Sequence, residues 1–303
     1  MRAGRGVAGG GVPGGDPQGP GIGVLGAGAI RDLAARHHVR PAKALGQNFL
    51  IDPNLARAIA AEAGAAPGVS VVEVGAGLGS LTVALADAGA EVLAIEFDRG
   101  LRSALEEVVR GRPRVRIIAA DAMKLDWAAE LGEGRWTMCA NLPYNIATPL
   151  VLELLERAPG IERFVVMVQR EVGERLAAGP GEEAYGAVSV KVAYRARATV
   201  VRRVPPEVFW PRPSVESVIV RLDRLSAPPV DVDPAALWRV VEAGFAQRRK
   251  TLRNALVRLG VDRGRAAELL SDNGVDPRAR AEELGLAALA RLARAVAAET
   301  GPA

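Results

Sequence analysis

The stretch Val71-Val72-Glu73-Val74-Gly75-Ala76-Gly77-Leu78-Gly79-Ser80 decides the fold. It opens as a short apolar run rich in β-branched residues. The three alternate glycines that follow allow the tight turn by which a strand hands over to a helix. Glycines there also let main-chain N–H groups come close to a ligand that side chains would exclude. A plain strand-to-helix turn has the same pattern, so the loop needs support from elsewhere in the chain. The dinucleotide fingerprint GxGxxG would place glycine at position 80, where Ser80 stands, and this counts against a nicotinamide dinucleotide.

Outward from this stretch, β-branched runs recur at 69–74, 91–95, 115–119, 137–140, 163–169, 188–194 and 215–222. Helical periodicity fills 80–88, 99–110, 148–157 and 171–178. Strands alternating with helices predict a mainly parallel α/β sheet covered on both faces, and the missing helix between the last two runs predicts an antiparallel end. Upstream, a short helix is expected over 30–37. A second opens at Asp52-Pro53, with Asp52 as its N-cap and Leu55, Ile59 and Ala63 four residues apart. Residues 1–29 are glycine-rich with three prolines, a make-up expected to remain a flexible tail and to interrupt any export signal. A proline-containing link at 227–234 divides a strand-bearing unit, 30–225, from an all-helical one, 235–303.

Composition narrows the chemistry. The single cysteine, Cys139, leaves no internal disulfide and no multi-cysteine metal site. The only histidines are the adjacent pair His37 and His38, so a histidine metal centre or a Ser-His-Asp hydrolase is hard to build, and no metal is expected. No apolar run approaches the ~18 residues of a membrane-spanning helix. The excess of 39 basic over 35 acidic residues, with a pI near 9.6, favours a polyanionic partner.

Three strand ends carry the candidate chemistry. Glu96 ends the second run, 17 residues after Gly79, where a carboxylate can accept both hydroxyls of a ribose. Asp121 ends the third, where it can accept from an adenine amino group. Read singly, Glu96 could be a solvated loop acid and Asp121 a helix cap; in order behind a glycine loop they describe an adenosine site. The fourth run ends in Asn141-Leu142-Pro143-Tyr144-Asn145. An exocyclic adenine amine is a poor nucleophile, because its lone pair is delocalised into the ring. The Asn141 side-chain oxygen and the Leu142 carbonyl could accept its hydrogens and localise that pair toward a methyl donor. Tyr144 offers a ring on which an extruded base can stack. The competing reading is a proline turn with a packed tyrosine.

At these residues the chain resembles the small-subunit (16S) rRNA adenine N6-dimethyltransferase family (KsgA/RsmA type). Further pieces of the resemblance are Leu45 to Leu50, Glu96-Phe97-Asp98, Gln169-Arg170-Glu171-Val172, Ala184-Tyr185-Gly186, Val204 to Phe209, Pro213 to Ser217, and Phe245 to Asn254. The resemblance implies a Rossmann-like S-adenosyl-L-methionine-dependent methyltransferase domain with a small all-helical C-terminal domain. It also implies dimethylation of N6 of two adjacent adenosines near the 3′ end of 16S rRNA. By position, it assigns cofactor contacts to Asn48, Leu50, Gly75, Gly77, Glu96, Asp121 and Asn141. Base handling falls to Asn141, Leu142, Tyr144 and Phe209, with Phe209 facing Tyr144 across the base unless it is a core phenylalanine.

Between Arg239 and Arg265 stand eight basic residues and two acids. We read this stretch as a helix with one cationic face, with Arg248, Arg249, Lys250 and Arg253 as the expected RNA phosphate contacts. Tyr194 to Arg203 adds four arginines and no acid. The alternative for either run is a solvated face. A monomer acting in the cytoplasm, away from membranes, is expected. Two other functions compete: a large-subunit rRNA adenine methyltransferase conferring antibiotic resistance, and a mainly non-catalytic ribosome assembly factor.

Overall fold

A computed structural model describes residues 23–42, 46–143, 146–247 and 249–301. The strands are β1 (Phe49–Leu50), β2 (Ser70–Val74), β3 (Glu91–Ile95), β4 (Val115–Ile118), β5 (Trp136–Asn141), β6 (Ile161–Gln169), β7 (Ala196–Val204), β8 (Phe209–Trp210) and β9 (Ser217–Arg224). Eight helices accompany them: α1 (Ala27–Arg36), α2 (Pro53–Glu62), α3 (Ser80–Asp87), α4 (Arg99–Val108), α5 (Trp127–Leu131), α6 (Ala147–Arg157), α7 (Arg170–Ala177) and α8 (Ala187–Arg195). The chain closes with α9 (Pro234–Phe245), α10 (Leu252–Arg258), α11 (Arg263–Asp272) and α12 (Leu286–Thr300).

Seven strands form one sheet in the order β4-β3-β2-β5-β6-β9-β7. The first five run parallel, while β9 is antiparallel to both β6 and β7. This is the Rossmann-like order, and it explains why the strands read as unbroken apolar runs. Alternate residues enter different cores: Val72, Val74, Phe164, Val166 and Val168 pack toward α6, whereas Val71, Val165 and Met167 pack toward α2 and α3. From β2 the chain builds outward through β3 and β4, then returns to lay β5 on β2's other side. That reversal opens a crevice at the carboxyl ends of β2 and β5, the place where such sheets bind ligands.

Asp52 caps α2 as expected, its carboxylate accepting from the Asn54 and Leu55 N–H groups. Three expectations need correction. The tail does not extend to residue 29, because Leu25 is buried and α1 begins at Ala27, with Ile30 and Leu33 packed against Leu101, Ala104 and Val108 of α4. Residues 1–22 lie outside the described residues. The run 188–194 is not a strand but most of α8, and the strand that follows it, β7, was hidden in the arginine-rich stretch. Its valines alternate because α8 is apolar on two opposite faces. Val188 and Val192 join the sheet's core, while Ala187, Val190 and Tyr194 join a second cluster built by α9 to α12. Tyr185 anchors that second cluster, donating its hydroxyl to the Leu284 carbonyl at 2.9 Å, and Tyr194 meets Trp238 edge-on at 5.1 Å. The third correction concerns the basic stretch around 239–265, which is not one helix. Arg249 and Lys250 lie in the connection between α9 and α10.

Candidate active site

The crevice begins with the loop after β2. Gly75, Gly77 and Gly79 all adopt left-handed backbone, φ +71°, +58° and +84°, which side-chain-bearing residues rarely do. The loop is braced from the next strand. Glu96 accepts from the Gly77 N–H through Oε2 and from the Asp98 N–H through Oε1, both at 2.8 Å. It is only 6% exposed. Burial raises its pKa, and the two main-chain hydrogen bonds pull the other way. At Gly79 a Cβ would stand 3.0 Å from Leu105 Cδ1 and 3.1 Å from Val108 Cγ1, so glycine here also lets α4 pack close to the loop.

Across the crevice, Asn141 ends β5. Its Nδ2 donates to the Asn48 carbonyl at 2.8 Å. A carbonyl can only accept, so the amide nitrogen must face Asn48, and Oδ1 is left without a partner among the described residues. The Gly46 to Phe49 segment that supplies this carbonyl is itself tied down: Asn48 Nδ2 donates to the Gly46 carbonyl, and Gln47 Oε1 accepts from the Ala42 N–H. Leu142 is buried and its N–H donates to the Met167 carbonyl, while no donor reaches its own carbonyl among the described residues.

These elements enclose a cleft of about 240 Å³. Of the expected site residues, Asn48, Gly75, Gly77, Glu96, Asp121, Asn141 and Leu142 line it. Asp121 is divided in its duties: Oδ1 accepts from the Met123 N–H at 3.0 Å, as a cap would, and Lys124 stands 3.8 Å from Oδ2. Leu50 and Phe209 do not line the cleft. They are cross-strand partners in the β1–β8 pair, and the period of two sends both into the core with Ile59 and Val71, leaving Phe209 3% exposed. The other pair of that ladder, Phe49 and Trp210, faces the opposite way with ring centroids 6.1 Å apart, and Phe49 is the one that reaches the cleft. Tyr144 and Arg248 lie outside the described residues. Of the other expected RNA contacts, Arg249 and Lys250 are exposed, and Arg253 Nε donates to the Arg263 carbonyl.

Two residues escaped the sequence reading. Phe97, directly after Glu96, is 73% exposed at the mouth of the cleft, a large ring in water that a flat ligand could cover. An aromatic immediately after a strand-end acid was the available signal. Glu73, in the middle of β2, lies on the sheet face toward α3, beside a cavity of about 30 Å³ that Asn141 and Gly77 also line. Neither its Oε2 nor Thr82 Oγ1 has a hydrogen-bond partner among the described residues. Burial pushes the Glu73 carboxyl up to about 8, and the neighbouring Glu96 charge adds to the rise.

The cleft suits an adenosine-bearing cofactor. A Cβ on Gly75 would point into the gap below the Pro143 ring, 3.8 Å from its Cδ, so the space that a side chain would fill is left open between the two lips. Carboxylates stand at the ends of β3 and β4 and an amide oxygen at the end of β5, all acceptors, matching hydroxyl and amino donors.

A family model described as ribosomal RNA adenine dimethylase matches residues 39–298. The ribosomal RNA small subunit methyltransferase A of Moorella thermoacetica is 46% identical over 264 residues, covering 84% of this chain and 92% of that protein. Its namesake in Thermobifida fusca is 46% identical over 270 residues, covering 87% and 93%. Among solved structures, the 23S rRNA methyltransferase ErmE superposes with a TM-score of 0.65 at 27% identity, covering 82% of this chain and 99% of that one. A dimethyladenosine transferase from Plasmodium falciparum shares the fold, with a TM-score of 0.69 at 24% identity over 80% and 95% of the two chains.

Proposed function

The chain belongs to the ribosomal RNA adenine dimethylase family, and on that premise we propose that it dimethylates N6 of two adjacent adenosines near the 3′ end of 16S rRNA in the small ribosomal subunit. The observation that carries the mechanism is the Asn141–Asn48 hydrogen bond, which leaves Asn141 Oδ1 as a free acceptor beside the Leu142 carbonyl. When bound, S-adenosylmethionine supplies an electrophilic methyl group. Glu96 would hold the ribose hydroxyls, Asp121 the adenine amino group, and the Gly75–Gly77 main chain the methionine end.

The chain's own contribution is orientation and electrostatics. Two acceptors fixed at the end of β5 take the two N–H bonds of the target amine and turn its lone pair out of conjugation. Once the amine has taken one methyl and released one proton to solvent, a single N–H remains, so one acceptor still orients it for the second round. Tyr144 stacks on the extruded base. We assign the strand-bearing unit, from Leu25 to residue 225, to methyl transfer and 235–303 to RNA binding, with Arg248, Arg249, Lys250 and Arg253 on phosphates. We place the protein in the cytoplasm as a monomer. Among the described residues no helix is long and apolar enough to cross a membrane.

Relatives at 46% identity carry small-subunit names, and the large-subunit enzyme ErmE stands at 27%, which favours the small subunit. Incubating unmodified small-subunit particles with the protein and S-adenosylmethionine should create two adjacent reverse-transcriptase stops near the 3′ end of 16S rRNA, since a dimethylated N6 has no donor for pairing. Stops that appear only in 23S rRNA, in a parallel incubation with unmodified large-subunit rRNA, would transfer the assignment to the resistance enzymes. Tight binding to particles without any stop would favour the assembly-factor reading.

A further inference from the structure

The sheet's outer edge on the β6 side is β7, which among the described residues pairs only with β9. Arg197, Arg202 and Arg203 are exposed along it, and Arg195, the last residue of α8 just before it, stacks over the Tyr194 ring, 5.1 Å from the centroid. Residues 184–206 contain no aspartate or glutamate. None of the four arginines has an ion-pair partner among the described residues. Acids on the adjoining elements are engaged elsewhere: Asp223 with Arg163 and Arg221, Glu216 with Arg170, Glu171 with Arg175, and Glu207 with Arg212.

Register places this edge relative to the chemistry. Asn141 pairs with Met167, Met167 with Ile219, and Ile219 with Arg202. Both neighbours of β9 run antiparallel to it, so β7 runs in the same sense as β5. Its carboxyl end, with Arg202 and Arg203, therefore opens on the same side of the sheet as Asn141. Three strand spacings separate Arg202 from Asn141, about 14 Å. The pairing shifts by one residue between Val200 and Arg202, a bulge that seats Val201 and Val204 toward the α2 core while leaving two successive arginines outside.

From this row we infer a second RNA-docking surface: Arg197, Arg202 and Arg203 form a rail for the phosphates of the substrate strand a few nucleotides from the target base. The inference rests on the functional reading above and extends it to an edge remote in sequence from the 248–253 stretch. Exposed acids would repel phosphate, whereas Arg202 and Arg203 match it in sign on the catalytic side of the sheet, and Arg197, opposite Asp223 near the amino end of β7, carries the row of cations along the edge away from it. The competing role for charges on an edge strand is to prevent edge-to-edge pairing between molecules.

The test is the variant Arg197→Gln/Arg202→Gln/Arg203→Gln in the full chain, with its Lys counterpart, assayed on unmodified small-subunit particles. The slope of log affinity against log salt should become shallower by about 2 in the Gln variant, near 0.7 for each phosphate no longer neutralised. The KM for particles should rise roughly tenfold at moderate salt, with kcat within about twofold and S-adenosylmethionine affinity unchanged. The Lys variant should restore the slope, because it restores the charge. An unchanged slope overturns the inference, and an unchanged slope with self-association of the Gln variant assigns the arginines to edge protection. If the unaltered protein methylates no RNA, the functional reading fails, but the binding slopes still decide whether the rail exists.

Discussion

Replacing Glu73 with glutamine should remove a pH dependence of stability that the native chain carries. The carboxyl is fully enclosed in the sheet between Ala94 and Cys139, and its folded pKa stands at about 8 against 4.5 for the ordinary group. Between those values the folded chain keeps a proton on Glu73 that the unfolded chain has released. Stability is therefore fully present below pH 4.5 and falls as pH rises, by about 1.4 kcal/mol per unit for one proton, until the folded carboxyl ionises near 8. Over the whole window the loss is about 5 kcal/mol. Glutamine matches the volume and never ionises. Urea unfolding at intervals from pH 5 to 8, without added S-adenosylmethionine, should show the variant gaining about 4 kcal/mol on the parent across that range. Parallel stability curves for the two proteins would mean that Glu73 is ionised in the folded state, and would refute the argument from burial.

Glu96→Ala should weaken S-adenosylmethionine binding by about 1.5–3 kcal/mol in calorimetry, since it removes the expected ribose acceptor and also the brace on the Gly77 N–H. Asn141→Ala should lower turnover roughly 100-fold while cofactor affinity falls far less, as single-turnover methylation against calorimetry will show. Asn141→Asp should bind cofactor worse than Asn141→Ala, because a carboxylate cannot donate to the Asn48 carbonyl and repels it. Gly79→Ala should lower stability by about 1–3 kcal/mol in thermal or urea unfolding, from left-handed strain and the approach to Leu105 and Val108.

The sheet was legible because strands buried on both faces must be apolar throughout, and few other structures write that pattern between glycine turns. The helix α8 was not, since burial on two opposite sides imitates the period of two, and only the packing of α9 to α12 reveals the second side. In the site, the glycines and strand-end acids could be read from residue type because each acts at the end of its own strand. What joins them could not. The Glu96 brace on Gly77 and the Asn48 carbonyl that orients Asn141 each link residues brought together only by the crossover order. Phe209 failed for a different reason, since a two-residue ladder sends neighbouring aromatics to opposite sides and nothing in Phe209-Trp210 says which side faces the ligand.

The double allegiance of α8 also bears on how the chain comes off a ribosome. Its inner valines can be covered once β9 has been made, but Val190 and Tyr194 wait for partners that run from α9 as far as Val296. At about 5–20 residues per second, the interval lasts several seconds, during which a nearly finished sheet displays a bare apolar helix face. The C-terminal helices thus complete the burial of a segment synthesised before them, so the last part of the chain to be made closes a helix that the sheet covers on one side only.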